Sequence, residues 1–362
     1  MNNNNKISNK KLSKKESHSN KIEEQISNNL FNLDNEIKEE YDDLEEEDFF
    51  DDFTEVFDQK KRFLKEMDSE DSKVLDEWRK KTKDKRKDKS TVEGVLDLST
   101  SKIIFRFINK GYFKSLGGII STGKESNVYY AQTDNKEITY GINDLAIKVY
   151  RTRTLDFKKI KSYIAGDRRF IRRAGRKSHQ IIEQWALKEY KNLTRAFEAG
   201  ILVPRPIVVR RNVLIMEYIQ KTSEDKNSES IAAPILQRIQ KDQTFLDIAH
   251  KIYPKLIEEI KLLWNKAKLV HGDLSEYNLL CIFPKNAEEK FKIYLIDISQ
   301  AVLNTHLSAH QFLLRDLLNI NNFFSRIETI EPINIIEIKD LYLKIVGYKP
   351  SDKDFLQFEN DM

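Results

Sequence analysis

The stretch Leu269-Val-His-Gly-Asp-Leu-Ser-Glu-Tyr-Asn-Leu-Leu280 constrains this chain more than any other segment. An apolar pair and a histidine lead into it, and an aspartate (Asp273) and an asparagine (Asn278) stand five residues apart, 273 to 278. That spacing lets both side chains turn toward one metal-bound phosphate. The carboxylate can take or orient the proton of an attacking hydroxyl, and the carboxamide oxygen can hold a hard cation. One such loop could arise by chance in 362 residues, so its neighbours decide the matter. Twenty-four residues on, 273 to 297, the apolar run Tyr294-Leu-Ile-Asp-Ile-Ser299 carries a second acid, Asp297. Upstream, Leu145-Ala-Ile-Lys-Val-Tyr150 reads as a buried strand interrupted by one lysine, and a buried lysine needs a partner. The natural one is Glu189, in the helical stretch from Glu183 to Leu193. Before the lysine, Ser121-Thr-Gly-Lys-Glu-Ser-Asn-Val-Tyr-Tyr130 is a small, polar turn between apolar runs, where backbone amides could face phosphate.

Phosphate turn, strand lysine with helix glutamate, catalytic loop and strand-end acid, in this order, match the arrangement of protein kinases. The spacing therefore predicts an α+β, two-lobed protein-kinase-like fold with nucleotide in the cleft. Lys148 is expected on the α- and β-phosphates with Glu189 holding it in place; Asp297 and Asn278 are expected to ligate Mg2+. A mere surface ion pair at Lys148 would be worth under about 1 kcal/mol, and its apolar flanks argue against that reading. Ser126, Asn127 and Val128 lie where the turn would meet ATP, although Ser and Asn also suit a plain β-turn. Asp273 orients either a protein hydroxyl or a water. His271 is expected to support the loop rather than to catalyse, and Cys281, in Leu279-Leu-Cys-Ile-Phe283, to be a buried small hydrophobe. The chain lacks an A-P-E motif after Asp297; Gln300-Ala-Val-Leu-Asn-Thr-His306 leads directly into a helix-like run to about Phe324.

The motifs S-T-G-K-E-S-N-V-Y, A-I-K-V-Y, L-V-H-G-D-L-S-E-Y-N and L-I-D-I-S-Q together resemble the RIO family of atypical protein kinases, in which D-x-S-Q replaces D-F-G. The segment Lys89 to Asp97 and the helix-like Ile103 to Tyr112 resemble the first RIO subfamily, with the third as the nearest competitor. The likeness spans about residues 89 to 325. It implies a RIO-type fold lacking activation loop and peptide-docking helices, and a hinge at Met216-Glu-Tyr-Ile219 in which the Glu217 carbonyl and the Ile219 amide meet adenine. It also implies serine/threonine kinase activity, ATPase activity through an aspartyl-phosphate at Asp297, and cytoplasmic maturation of the small ribosomal subunit. Its partners would be pre-ribosomal RNA and assembly factors. A nucleotide-sensing scaffold without turnover is the rival reading; retention of Lys148, Asp273, Asn278 and Asp297 together weighs against it.

The formal net charge of +4 hides a segregation. Residues 1–90 run from Asn/Lys/Ser-rich sequence through an acidic stretch, Glu36 to Asp58, that contains Phe49, Phe50, Phe53 and Phe57, to a lysine-rich end. Such sequence buries too little apolar area to offset its ordering entropy, so disorder is expected there, with at most a short helix at 74–85. A helical preface (91–116), an N-lobe (117–219), a C-lobe (220–330) and a tail (331–362) follow, the tail supplying one last helix. Within the N-lobe, the basic insertion 155–180 interleaves Tyr163 and Phe170 with Lys158, Arg168, Arg172 and Arg176, a composition suited either to salt-sensitive RNA binding or to a solvated loop. The lone cysteine excludes an intrachain disulfide. No apolar run reaches membrane-spanning length, so a cytoplasmic protein is expected, with the basic run 79–89 as a candidate nuclear-import signal. Oligomeric state is not legible.

Overall fold

The computed structural model describes residues 96–151, 163, 167, 169–170, 178–221, 230–283, 291–329 and 331–349. They belong to one of the chain's two compact units, Thr91–Met362. The expectations for residues 1–90, and for nearly all of the basic insertion, lie outside them.

Five antiparallel strands form the N-lobe: β1 (Leu116–Thr122), β2 (Ser126–Gln132), β3 (Asp144–Tyr150), β4 (Pro206–Arg210) and β5 (Val213–Glu217), in the order β1-β2-β3-β5-β4. Register divides this sheet into two faces, because directly paired residues project to the same side. One row, Tyr129–Ile147–Ile215, lies on the face that packs with Ile103, Ile104 and Phe107 of helix α1 (Leu98–Asn109). Each of those helix side chains is buried, worth about 1.5–3 kcal/mol apiece. That burial holds a twelve-residue helix which would be marginal alone. Asp97 caps it, accepting from the Thr100 amide at 2.7 Å. The alternate rows, Val128–Lys148–Leu214 and Tyr130–Ala146–Met216, therefore face the other way, toward the cleft.

Helix α2 (Ser178–Glu198) follows β3 and packs on β4, β5 and the segment after Asp297. The C-lobe comprises α3 (Leu236–Ile239), α4 (Gln243–Asn265), α5 (Ala309–Phe324) and α6 (Ile338–Val346), with two short strand pairs among the described residues: β6 (Leu269–Val270) with β9 (Val302–Leu303), and β7 (Leu279–Ile282) with β8 (Lys292–Leu295). Tyr253, Phe245, Phe323 and Phe324 join α4 to α5, and the Tyr253 hydroxyl donates to Asn321 Oδ1 at 2.8 Å.

Helix α4 begins at Gln243, capped by Asp242, and continues through Pro254. Burial of Phe245, Ala249, Ile252 and Leu256 along one face outweighs the backbone bond that proline cannot make. The tail helix is present as α6. Between Asp297 and α5 the chain makes only a 3-10 turn (Ile298–Gln300), β9 and the loop 304–308, a connection too short to hold a long activation segment.

Candidate active site

Lys148 is presented by β3 into the cleft, 4% exposed. Its Nζ donates to Glu189 Oε1 at 2.8 Å, lies 2.7 Å from Glu189 Oε2 as an ion-pair contact outside hydrogen-bond geometry, and donates to Asp297 Oδ1 at 2.9 Å. Burial opposes its charge, but the carboxylates of Asp297 and Glu189 more than offset this and hold its pKa above the ordinary lysine value. Glu189, carried by α2 and fully buried, is pushed up to about 7 by burial against the pull of Lys148. Asp297 goes the other way. Burial would raise it, yet Lys148 and a hydrogen bond from Ser299 Oγ at 3.1 Å keep it below the usual carboxylate range. Its side chain is about half exposed, so this charge is open to solvent.

Asp297 sits at φ 56°, ψ 54°, in the left-handed region that few non-glycine residues adopt. Such conformations persist where the surroundings over-determine them, commonly at working sites. Here the surroundings come from α2. Lys188 Nζ donates to the carbonyl of Ser299 at 2.9 Å and to that of Ala301, and Asn192 Nδ2 donates to the carbonyls of Ile298 and Ala301 at 2.9 Å each. Burial lowers the fully buried Lys188 amine to about 7, with Asp167 pulling the other way. Glu189 and its neighbours on one helix thus fix both Lys148 and the backbone that aims Asp297.

The loop bearing Asp273 and Asn278 is tied to the same place. The Ile296 amide donates to the Asn278 carbonyl at 3.0 Å, extending the β7–β8 ladder by one step, so Asn278 and Asp297 emerge together at the hairpin's end. Asn278 Nδ2 donates to the Asp273 carbonyl at 2.8 Å, which leaves its amide oxygen for another partner. Asp273 is exposed, and its Oδ2 accepts from Gln300 Nε2 at 2.7 Å. His271 is buried and its pKa lowered by burial to about 4; the neutral ring bonds through Nε2 to the Ile296 carbonyl at 3.1 Å. It is a support for the loop. Cys281 is buried, and burial raises its thiol to about 12.

Sequence reasoning missed the residues that hold this loop from behind. Asp316 of α5, 1% exposed, accepts from the amides of Gly272 at 2.8 Å and Leu274 at 2.9 Å. Burial lifts its carboxyl to about 7. Arg315 donates to the Gly272 carbonyl, and Asn319 Nδ2 to the Leu274 carbonyl at 3.1 Å. The available signal was an acid inside the apolar run Leu313-Leu-Arg-Asp-Leu-Leu318, at a spacing that puts Asp316 among core residues.

The phosphate-turn residues are placed differently from one another. Val128 pairs with Lys148 and shares its cleft-facing row. Ser126 begins β2 and its carbonyl accepts from the Gly123 amide at 2.8 Å. Asn127 is fully buried: its Oδ1 accepts from Arg151 at 2.9 Å and its Nδ2 reaches the Tyr129 hydroxyl at 3.5 Å, so its side chain is spent inside the sheet. Trp185 of α2 donates to Glu125 Oε2 at 3.3 Å, tethering the turn to the helix that carries Glu189. At the hinge, Met216 and Glu217 end β5; the Glu217 amide donates to the Arg205 carbonyl at 2.8 Å, and the Ile219 carbonyl accepts from Ala233 at 2.9 Å. The two aromatics of the basic insertion do not offer stacking surfaces. Tyr163 packs against Trp185 and Phe312, and Phe170 is buried beside Arg169 and Lys191, because ring burial is worth more than exposure on a charged loop. Arg169 is itself paired with buried Asp167 at 2.6 Å.

The family model described as RIO1, RIO domain, matches residues 127–335, more than half of the chain. The serine/threonine-protein kinase rio1 of Dictyostelium discoideum is 36% identical over 280 residues, covering 76% of this chain and 44% of its own length. A serine/threonine-protein kinase RIO3 of Caenorhabditis elegans is 33% identical, covering 75% and 51%. The chain spans about half the length of these curated relatives. A solved structure, the Rio2 kinase-ADP/Mg2+-phosphoaspartate complex from Chaetomium thermophilum, matches at 20% identity and a TM-score of 0.45, over 71% of this chain and 75% of that one. Among the described residues no helix is long and apolar enough to cross a membrane. With the D-x-S-Q segment and the strand lysine at the heart of its site, and the family model over most of its described residues, the chain belongs to the RIO family of atypical protein kinases.

Proposed function

We propose that this chain is an ATP- and magnesium-dependent serine/threonine protein kinase with ATPase activity. One observation carries the reading: Lys148 bridges Glu189 and Asp297 within 2.9 Å, which aligns an ammonium for phosphate with a carboxylate for a cation. The donor set suits magnesium. Both Lys148 and Ser299 bond to Oδ1 of Asp297, so Oδ2 and the Asn278 amide oxygen are the hard ligands on offer. No cluster of three or more His, Cys, Asp or Glu among the described residues is arranged for a metal, in keeping with an ion held by one or two side chains plus phosphate and water. When bound, the metal would neutralise phosphate charge.

The chain's own groups then divide the work. Lys148 holds the α- and β-phosphates, Asp273 takes or orients the acceptor's proton, and the backbone of Ser126, with Val128, faces the nucleotide, whose adenine meets the hinge at Glu217 and Ile219. Asp297 serves as phosphoryl acceptor in the ATPase branch: a carboxylate oxygen bonds to the γ-phosphorus as its bond to the ADP oxygen breaks, and water later releases phosphate. The RIO-type sequence supports action on the maturing small ribosomal subunit in the cytoplasm. Any RNA contact by the insertion would rest on its Lys/Arg charges rather than on base stacking by Tyr163 or Phe170.

Purified protein with γ-labelled ATP and magnesium tests this. Hydroxylamine-labile label with phosphate release supports the aspartyl-phosphate branch; stable label on serine supports protein phosphorylation; no turnover under any condition leaves a nucleotide-binding scaffold. Asp273→Ala should keep Mg-ATP binding and lose most turnover. Normal turnover in that variant would remove Asp273 from the mechanism.

A further inference from the structure

Gln300 lies three residues beyond Asp297, in the 3-10 turn, and is 8% exposed. Its Nε2 donates to Asp273 Oδ2 at 2.7 Å, while its Oε1 is buried with no hydrogen-bond partner among the described residues. A buried acceptor left unpaired is destabilising, and flipping the amide would set two oxygens face to face. The amide nitrogen is therefore held on Asp273 at the expense of the oxygen. The backbone of Gln300 is equally committed to the catalytic loop. Gly272 has φ +77°, and a Cβ added there would come within 3.2 Å of the Gln300 carbonyl oxygen. That same turn is gripped from the other side by Lys188 and Asn192 of α2. The donor to Oδ2 comes from the segment that follows Asp297.

We infer that Gln300 is a positioning residue: its amide fixes the Asp273 carboxylate through Oδ2, and so couples the proton-handling acid to the segment that bears Asp297. This deepens the proposed function and rests on its assignment of Asp273. A mechanical loss of orientation should slow turnover without weakening nucleotide binding.

The test compares wild type with Gln300→Leu, which removes the donor, and the near-isosteric Gln300→Glu, which sets a carboxylate against Asp273; kcat and KM for ATP are measured for each, and crystal structures of both variants show where the Asp273 carboxylate lies. In Gln300→Leu kcat should fall roughly tenfold while KM stays within about twofold, and the Asp273 side chain should leave its wild-type rotamer. In Gln300→Glu the loss of kcat should be at least as large, because a carboxylate cannot donate to Asp273. An Asp273 rotamer unchanged in both variants overturns the inference, as does a change confined to KM. A silent wild-type enzyme would defeat the kinase reading, yet the position of the Asp273 carboxylate would still decide the role of Gln300.

Discussion

Removing Lys148 should destabilise the fold through Glu189, and by a predictable amount. In Lys148→Met the Glu189 carboxyl, 1% exposed, loses the cation 2.7 Å away, while Asp297, half exposed, keeps water. A buried carboxylate without its partner takes up a proton rather than stay charged. Breaking a buried pair by removing one partner typically costs about 3–5 kcal/mol, and a loss of that size is expected here. The sign with pH follows. Lys148 opposes protonation of Glu189 in the wild type, so the variant's Glu189 pKa lies above the wild-type value of about 7. A folded-state pKa raised above the unfolded one gives stability that is lost as pH rises through the folded pKa. The variant should therefore fall further behind wild type from pH 7 to pH 9. Adding Glu189→Gln removes the charge at fault, and the double variant should regain most of the loss. Urea denaturation followed by fluorescence, with buried Trp185 one turn before Glu189 as reporter, measures all four corners of the cycle. A loss unchanged between pH 7 and 9, or no rescue by Glu189→Gln, would refute the argument.

Asp316→Ala leaves two buried amides unpaired and should cost about 2–4 kcal/mol by the same denaturation assay, with kcat falling more than nucleotide affinity. Gly272→Ala meets both a left-handed φ of +77° and the Gln300 carbonyl, and should lose about 1–2 kcal/mol in a thermal melt. Asp297→Asn keeps shape and tolerates the left-handed backbone, so stability should change by less than about 1 kcal/mol, while calorimetry should show at least a tenfold loss of magnesium-dependent nucleotide affinity. Cys281, with its thiol raised to about 12 by burial, should resist alkylation at pH 8 in the folded protein and react in urea.

What was legible in the sequence had chemical contrast with its flanks. Lys148 stands alone in an apolar strand, and the structure gives it the partner on α2 that burial demands. Asp297 closes an apolar run, and Asp273 and Asn278 share one short loop. The helix expected in the tail is present at Ile338–Val346. What was hidden depends on contacts distant in sequence. Asn127 looks like a turn residue, but strand register turns it inward, where Arg151 meets it. Tyr163 and Phe170 read as stacking surfaces because local composition cannot say that Trp185, Phe312 and Lys191 lie beneath them. The partners of Asp316 are backbone amides more than forty residues away, and backbone leaves no mark in a sequence.

These hidden contacts explain how an exposed acid can be well placed. Asp273 is exposed and its loop is irregular, so packing alone would leave it loose. Its backbone is instead clamped from α5 by Arg315, Asp316 and Asn319, and its carboxylate is met from the Asp297 turn by Gln300. That turn is in turn held by Lys188 and Asn192, which flank Glu189 on α2. A helix that swung away from Lys148 would therefore also release the carbonyls of Ile298, Ser299 and Ala301, at a cost of several buried hydrogen bonds together rather than one ion pair. The short connection from Asp297 to α5 offers no long segment whose rearrangement could compensate. With this wiring, α2 and the Asp297 turn must move as a unit or not at all, and the geometry of Asp273 is set by the same unit.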